Sequence, residues 1–192
     1  MSDLVRSRPA RPEALGREES DPVSSLVVGV LSDTHGRLYP RVHELLQGVD
    51  HLIHAGDVGS EDVLRELRAI APLTVVRGNC DYANWAAALP SSAEVELAGV
   101  RFSVTHIART GRTAGARLPA GPDTSGLRAP EVVVTGHTHL AALEWREGVL
   151  HLNPGSAGPR RFGRPRTLAR VEILGARRGI PQVSAQVLVV ED

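Results

Sequence analysis

The chain has 192 residues, enough for one domain whose core buries most of its apolar surface. Its 22 basic residues, all arginine, balance 22 acidic ones, which excludes the positive excess that draws a protein to nucleic acid in general or to an anionic membrane surface. The single cysteine, Cys80, rules out an internal disulfide, the first residues lack the apolar stretch of a secretory signal, and no apolar run approaches the ~18 residues of a membrane span, so a cytoplasmic protein without a membrane partner is expected.

Residues 1–23 mix Arg, Glu, Pro and Ser with no hydrophobic period and read as a flexible leader ahead of a domain at 24–192. The domain opens on LVVGVL at 26–31, a buried strand. Leu38, Val42, Leu45, Leu46 and Val49 then recur at helical spacing, HLIHA follows as a second strand, Val63, Leu64, Leu67 and Ile70 mark a second helix, and LTVV makes a third strand. Strand, helix, strand, helix, strand predicts βαβ units with a parallel sheet, whose ligands gather beyond the carboxyl ends of the strands. After residue 90 the pattern changes to short strands at 93–97, 100–105, 131–135, 140–145, 149–152, 166–174 and 183–190, with AGV and REG as turns. These predict a second, more antiparallel sheet packed face to face on the first with helices outside: an α/β fold, a four-layer αββα sandwich of two mixed sheets. Residues 109–130, rich in Gly and Pro, read as a long loop or weak helix.

The strand ends carry the chemistry. LSDTHG places Asp33 and His35 after the first strand, HAGDVG places Asp57 after the second, and RGNCD places Asn79, Cys80 and Asp81 after the third. SVTHIAR ends a strand at His106, and VVVTGHTH ends another at His137 and His139. Any one of these alone is as compatible with a turn former as with a ligand. Five strand ends that each deliver a carboxylate, amide or imidazole, flanked by Gly36, Gly56, Gly59, Gly78 and Gly136, point to a shared site. His43, His51, His54 and His151 read as ordinary hydrogen-bonded turn histidines outside it.

Carboxylate oxygens with imidazole nitrogens suit Mn²⁺, Fe²⁺, Zn²⁺ or Ni²⁺ rather than Ca²⁺ or Mg²⁺. Two such ions offset only by Asp33, Asp57 and a shared hydroxide leave a cationic centre ready for phosphate. Ions ~3.5–4 Å apart activate the shared hydroxide for in-line attack on a phosphoester, with no protein nucleophile required.

The motifs SDTHG, GDV, GNCD, THI and GHTH, with LNPGS at 152–156, resemble in order and spacing those of the calcineurin-like metallophosphoesterases, and among them the small bacterial and archaeal phosphodiesterases that share a fold with the eukaryotic retromer subunit. The resemblance spans residues 26–174. It implies a two-sheet sandwich and a binuclear centre in which Asp33, His35, Asp57 and His139 hold one ion, Asp57, Asn79, His106 and His137 hold the other, and Asp57 bridges. Asp57, Asn79 and His106 are then the catalytic residues, and Asn79 also orients the substrate phosphate.

Where many larger relatives place a histidine after the Asn of the GN motif, this chain has Cys80, as the small subfamily does. Cys80 reads as a near-site thiol or, by preference, a small buried hydrophobe, and Asp81 as a group that orients a histidine or fixes its loop, with a turn residue as the alternative. After His106 the family continues with Gly and a second His, but here Ile107, Ala108 and Arg109 follow. Arg109 or Arg112 is the candidate for the missing phosphate contact, and Tyr82, Trp85 and residues 109–130 for the pocket rim, with core packing the preferred reading for Trp85. Asn153 and Thr138 are expected to be structural. The expected activity is metal-dependent hydrolysis of a small phosphoester, a phosphodiester first, with Mn²⁺ as the leading metal. The alternatives are a scaffold on the same fold, which would have eroded ligands, and a nuclease, which would want a basic groove.

Overall fold

The computed structural model describes residues 25–108, 131–161, 163–177 and 180–191. The expected leader, residues 109–130 and the candidate phosphate contacts Arg109 and Arg112 lie outside the described residues.

In the described part the expected strands form in the expected order: β1 (Ser25–Leu31), β2 (His51–His54), β3 (Leu73–Val75), β4 (Ser92–Leu97), β5 (Val100–Thr105), β6 (Glu131–Val134), β7 (Ala141–Arg146), β8 (Val149–Pro154), β9 (Arg166–Arg177) and β10 (Ile180–Val190). Helices α1 (Pro40–Leu45) and α2 (Glu61–Ile70) link the first three strands. Ser60 caps α2 by accepting from the Val63 N–H, Glu61 and Asp62 sit in its first turn and Arg68 in its last, and Val63, Leu64 and Leu67 are its buried stripe. Helix α1 is shorter than the apolar spacing from Leu38 to Val49 suggests. Pro40 sets its first turn, and the chain turns away at Gly48, whose φ of +70° lies in the left-handed region. A short 3-10 turn at Asn84–Ala88, with no counterpart in the sequence reading, packs Trp85 against the helices' apolar cluster.

Two five-stranded sheets result, ordered β10-β9-β1-β2-β3 and β4-β5-β6-β8-β7. In the first, β1, β2 and β3 are parallel, and β9 and β10 return antiparallel beside β1. The second sheet departs from its expected antiparallel character: its middle strands β5, β6 and β8 are parallel, and only the outer pairs β4–β5 and β7–β8 are hairpins. The reason is that β7 leaves β6 to form the edge, and β8 then returns between them. Alternate residues of β1 serve different layers: Val28 and Val30 join Phe102, Val132, Val134 and Leu152 between the sheets, while Leu31 joins Val42, Leu46 and Leu67 under the helices. Such two-sided burial requires the near-continuous apolar run that β1 shows. Both described α-helices lie on the first sheet, and none is long and apolar enough to cross a membrane.

Because β1, β2 and β3 are mutually parallel, as are β5 and β6, their carboxyl ends fall in line within each sheet. The loops that follow these strands hold all seven expected ligands.

Candidate metal centre

The loops are stitched to one another before any side chain is considered. Backbone N–H groups of Asp33, His35 and Gly36 donate to the carbonyls of Gly56, Asp57 and Val58 at 2.9, 3.0 and 2.7 Å, so the first two loops zip together in parallel. Gly136 N–H reaches the His106 carbonyl at 2.9 Å, tying the two loops of the second sheet. The backbone inside these loops is strained. Asp33, His35, Asp57, His137 and His139 have φ between 47° and 68°. Among the described residues the only other non-glycines there are Ala98 and Glu147, each followed by a positive-φ glycine in the AGV and REG hairpin turns. A side chain in this region costs about 1–2 kcal/mol, and left-handed residues with no hairpin to explain them accompany functional geometry.

The side chains converge in two overlapping groups. In one, His139 Nε2 is 3.2 Å from Asp33 Oδ1 and 3.3 Å from His35 Nε2, and His35 Nε2 lies 3.9 Å from Asp57 Oδ2. In the other, His106 Nε2 is 3.0 Å from Asn79 Oδ1 and 3.4 Å from Asp57 Oδ1, while the His137 ring meets the His106 ring edge-on with centroids 5.3 Å apart. Asp57 therefore turns one oxygen to each group. Asp33, Asp57 and His106 are buried, His35 and His139 partly so, and Asn79 and His137 are exposed, which opens the second group to solvent.

These donors suit cations. His106 Nδ1 lies 2.7 Å from the Ala55 carbonyl, which can only accept, so Nδ1 carries a proton and the neutral ring turns its Nε2 lone pair toward two further oxygen acceptors. Only a second proton or a metal ion reconciles three acceptors meeting at one point. The protein alone shifts the balance toward that second proton. Burial opposes it, but the hydrogen bonds to Asp57 and Ala55 and the nearby carboxylate charges outweigh burial and raise the His106 pKa. Burial likewise opposes ionisation of Asp57, yet the hydrogen bonds from His106 and the Cys80 N–H hold its carboxyl well below the usual range. At the first group Asp33 Oδ1 and His139 Nδ1 are buried without a hydrogen-bond partner, and an orphaned buried carboxylate oxygen is costly unless a cation meets it. Asp33, His35 and His139 offer ligand atoms within 4.8 Å of one another, as do Asp33, Asp57 and His106.

Around this centre several side chains hold the loops. Asp81 is buried and accepts from the N–H groups of Val58, Gly59 and Gly78 at 3.2, 2.8 and 2.8 Å, clamping the Asp57 loop to the Asn79 loop. Asn153 donates to the Gly136 carbonyl and to Thr138 Oγ1, so the LNPGS turn backs the histidine pair. Cys80 is not the buried hydrophobe that its size suggests: it is exposed, because its N–H is drawn to Asp57 Oδ1 at 2.7 Å and the side chain is left at the mouth of the site. Burial, then its hydrogen bond with Asp57, raises the thiol's pKa. Tyr82 is 86% exposed, and Trp85 packs into the apolar cluster under the helices, the fate preferred for it from the sequence.

His54 is a second residue that sequence reasoning misplaced. It is fully buried rather than a partly exposed turn residue. Gly56 N–H donates to its Nδ1 at 3.2 Å, and its Nε2 meets Thr34 Oγ1 at 2.9 Å. Thr34 spends its only proton on the Val58 carbonyl, so Nε2 must be the protonated nitrogen of a neutral ring that locks the Asp33 loop to the Asp57 loop. The signal for it was a polar residue at the inner end of the apolar strand HLIHA. Burial holds its pKa at about 4, below the ordinary 6.5. The unfolded chain therefore takes up this proton first, and stability is retained above pH 6.5 and lost as pH falls toward 4, by up to about 3 kcal/mol from this one group. Urea unfolding across that window is expected to show a steeper loss for the wild type than for His54→Gln; equal slopes would refute the locked neutral ring. A second feature without a sequence-level reading is the run GPRRFGRPR at 158–166, which brings Arg160, Arg161 and Arg164 beside His139.

The profile of the calcineurin-like phosphoesterase superfamily domain matches residues 26–175. A probable metallophosphoesterase of Methanothermobacter thermautotrophicus is 32% identical over 142 residues, 68% of this chain and 77% of the relative. The phosphodiesterase YfcE of Escherichia coli is 34% identical over 158 residues, 70% of this chain and 80% of the relative. Among solved structures, vacuolar protein sorting 29 of Cryptosporidium parvum superposes with a TM-score of 0.60 at 19% identity, over 86% of this chain and 98% of that one, a likeness of fold. With a profile match running from the first strand through the β9 return, the chain belongs to the calcineurin-like phosphoesterase superfamily.

Proposed function

We propose that the protein is a phosphodiesterase whose centre takes two divalent cations, Mn²⁺ first, with Fe²⁺, Ni²⁺ or Zn²⁺ as alternatives of the same ligand preference. The observation that carries the pair is Asp57: one carboxylate turns Oδ2 toward His35 and Oδ1 toward His106, in two groups that each contain further nitrogen and oxygen donors. Asp33, His35, Asp57 and His139 would hold one ion, and Asp57, Asn79, His106 and His137 the other. Bound there, the ions supply an activated water and charge stabilisation for in-line displacement at phosphorus.

The chain's own groups do the rest. Ala55 fixes the His106 ring through Nδ1, and the strained loops aim Asp33, His35 and His139 at one point before substrate arrives. Asn79, exposed beside His106, is placed to orient a phosphoryl oxygen as well as to ligate. The raised pKa of Cys80 argues against a covalent thiol route, and the alkoxide leaves with solvent help. A small phosphoester fits the balanced overall charge better than a nucleic-acid strand does. The diester preference follows the activity for which the Escherichia coli relative is named. A scaffold role is disfavoured because no ligand in either group is eroded.

The purified chain is expected to hydrolyse bis-p-nitrophenyl phosphate with Mn²⁺ and to lose about 10²–10³-fold in kcat/KM on His106→Ala, the scale for removing one group that stabilises developing charge. Undiminished turnover in that variant, or no turnover in the wild type, would refute the assignment.

A further inference from the structure

We propose that Arg161, on the arginine-bearing loop beside His139, forms a second anion subsite next to the candidate metal ligands, selecting phosphoesters that carry another phosphate on the unit next to the scissile group. The inference rests on the phosphoesterase reading and adds the class of substrate.

Its basis is a loop built to hold charge in place. Residues 158–166 contain Arg160, Arg161, Arg164 and Arg166 and no acidic residue, an unusual local excess in a chain of zero net charge. The loop's base is fixed to the Asp33 loop: Ala157 N–H donates to the Ser32 carbonyl at 3.0 Å and Ser156 Oγ to the Asp33 carbonyl at 3.0 Å. Gly158 lies so close that a Cβ there would stand 2.3 Å from the Asp33 carbonyl oxygen, so the loop starts in direct contact with the metal-loop backbone.

Two of the arginines are struts. Arg164 Nη1 donates to the Thr138 carbonyl, between the two histidines of the GHTH loop, at 3.1 Å. Arg166 is buried, donates from Nε to the Gly158 carbonyl at 3.1 Å and lies over the Tyr39 ring at 3.7 Å. Arg161 has a different situation. It is exposed, forms no ion pair among the described residues, and lines the hollow between this loop and His139 together with Ser156, Arg160 and Arg164. A guanidinium held there at the rim of a phosphoryl site fits a further phosphate, which it can grip through two parallel N–H donors. The metals take the scissile phosphoryl group, and Arg161 takes its neighbour.

The test uses two chromogenic substrates with the same scissile bond, thymidine 5′-(p-nitrophenyl phosphate) with and without a 3′-phosphate, on the full-length Mn²⁺-loaded protein. In parallel, calorimetry measures binding of thymidine 5′-phosphate and of thymidine 3′,5′-bisphosphate. The wild type should prefer the doubly phosphorylated member by about tenfold in kcat/KM and in affinity, the scale of one partly exposed charge-assisted contact. Arg161→Lys should keep part of that preference, Arg161→Gln should bring the ratio to about one, and Arg161→Glu should invert it. Hydrolysis and binding of both members without preference, or a preference unchanged in Arg161→Gln and Arg161→Glu, overturns the subsite and leaves the phosphoesterase reading standing. No hydrolysis of either substrate overturns that reading, and the subsite with it.

Discussion

Asp57→Asn is expected to empty the centre of both cations, lowering the affinity for each by two to three decades and taking hydrolysis down with them. The residue is buried, and its two oxygens face different ligand groups, His35 at 3.9 Å and His106 at 3.4 Å, so one substitution reaches both. An asparagine of the same shape keeps one acceptor but must turn an NH₂ toward the other group, where a cation would meet a donor. The substitution would also remove a negative charge from between the two cations the centre is proposed to take. Breaking a buried charge pair by removing one partner typically costs about 3–5 kcal/mol, roughly two to four decades in affinity, a range that includes the stated loss. Metal analysis after dialysis against limiting Mn²⁺, alongside bis-p-nitrophenyl phosphate turnover, checks it. A variant that keeps two equivalents would show that Asp57 is not shared. In the same assay, loss of one equivalent only would show a carboxylate serving a single ion.

The second large effect is expected where no ligand is touched. Gly78 packs against the Asp57 backbone so tightly that an added Cβ would stand 2.0 Å from Asp57 N and 2.1 Å from Asp57 Oδ1. Neither atom belongs to a flexible side-chain end. Asp57 N is part of a loop stitched to Asp33 and His35, and Oδ1 accepts from the Cys80 N–H. The φ of Gly78 is not positive, so the penalty is one of contact alone. Gly78→Ala should therefore destabilise the fold by about 3 kcal/mol, the upper end of overpacking costs, and weaken metal binding because the strain relaxes by moving Asp57. Gly48→Ala is the matched comparison: nothing lies within 4 Å, its φ is +70°, and only the backbone cost of about 1 kcal/mol applies. Urea unfolding of both variants, with metal content measured beside it, decides the matter. Equal losses at the two glycines would show that the packing around Asp57 yields.

Much of this architecture was legible because two periodicities carry it. Alternation and apolar runs give the strands, the 3.6-residue spacing gives α2, and each of Asp33, Asp57, Asn79, His106 and His137 follows directly on a strand that the pattern marks. Pairing was less legible. Nothing local in VVV at 132–134 tells β6 to take β8 rather than β7 as its neighbour, since side-chain period sets which face is buried and not which strand lies alongside. The length of α1 escaped for a similar reason, because Leu46 and Val49 stay buried in the same cluster whether or not the helix continues through them. Near the centre, the misreadings concern residues whose fate depends on a distant partner. Cys80 is exposed because its backbone binds Asp57, and His54 is buried because Thr34 and Gly56 use both its nitrogens. Arg161 gains meaning only when Ser156 and Ala157 bring its loop against the Asp33 loop.

The left-handed backbone at Asp33, His35, Asp57, His137 and His139 has a consequence for how the protein lives. Each such residue withdraws about 1 kcal/mol or more from a domain whose whole stability is only about 5–15 kcal/mol. Ions that bind the folded loops and ignore the unfolded chain return that free energy in proportion to the logarithm of their concentration. For a centre that takes its ions as proposed, folding and loading would be one equilibrium, and stability would track the concentration of free metal.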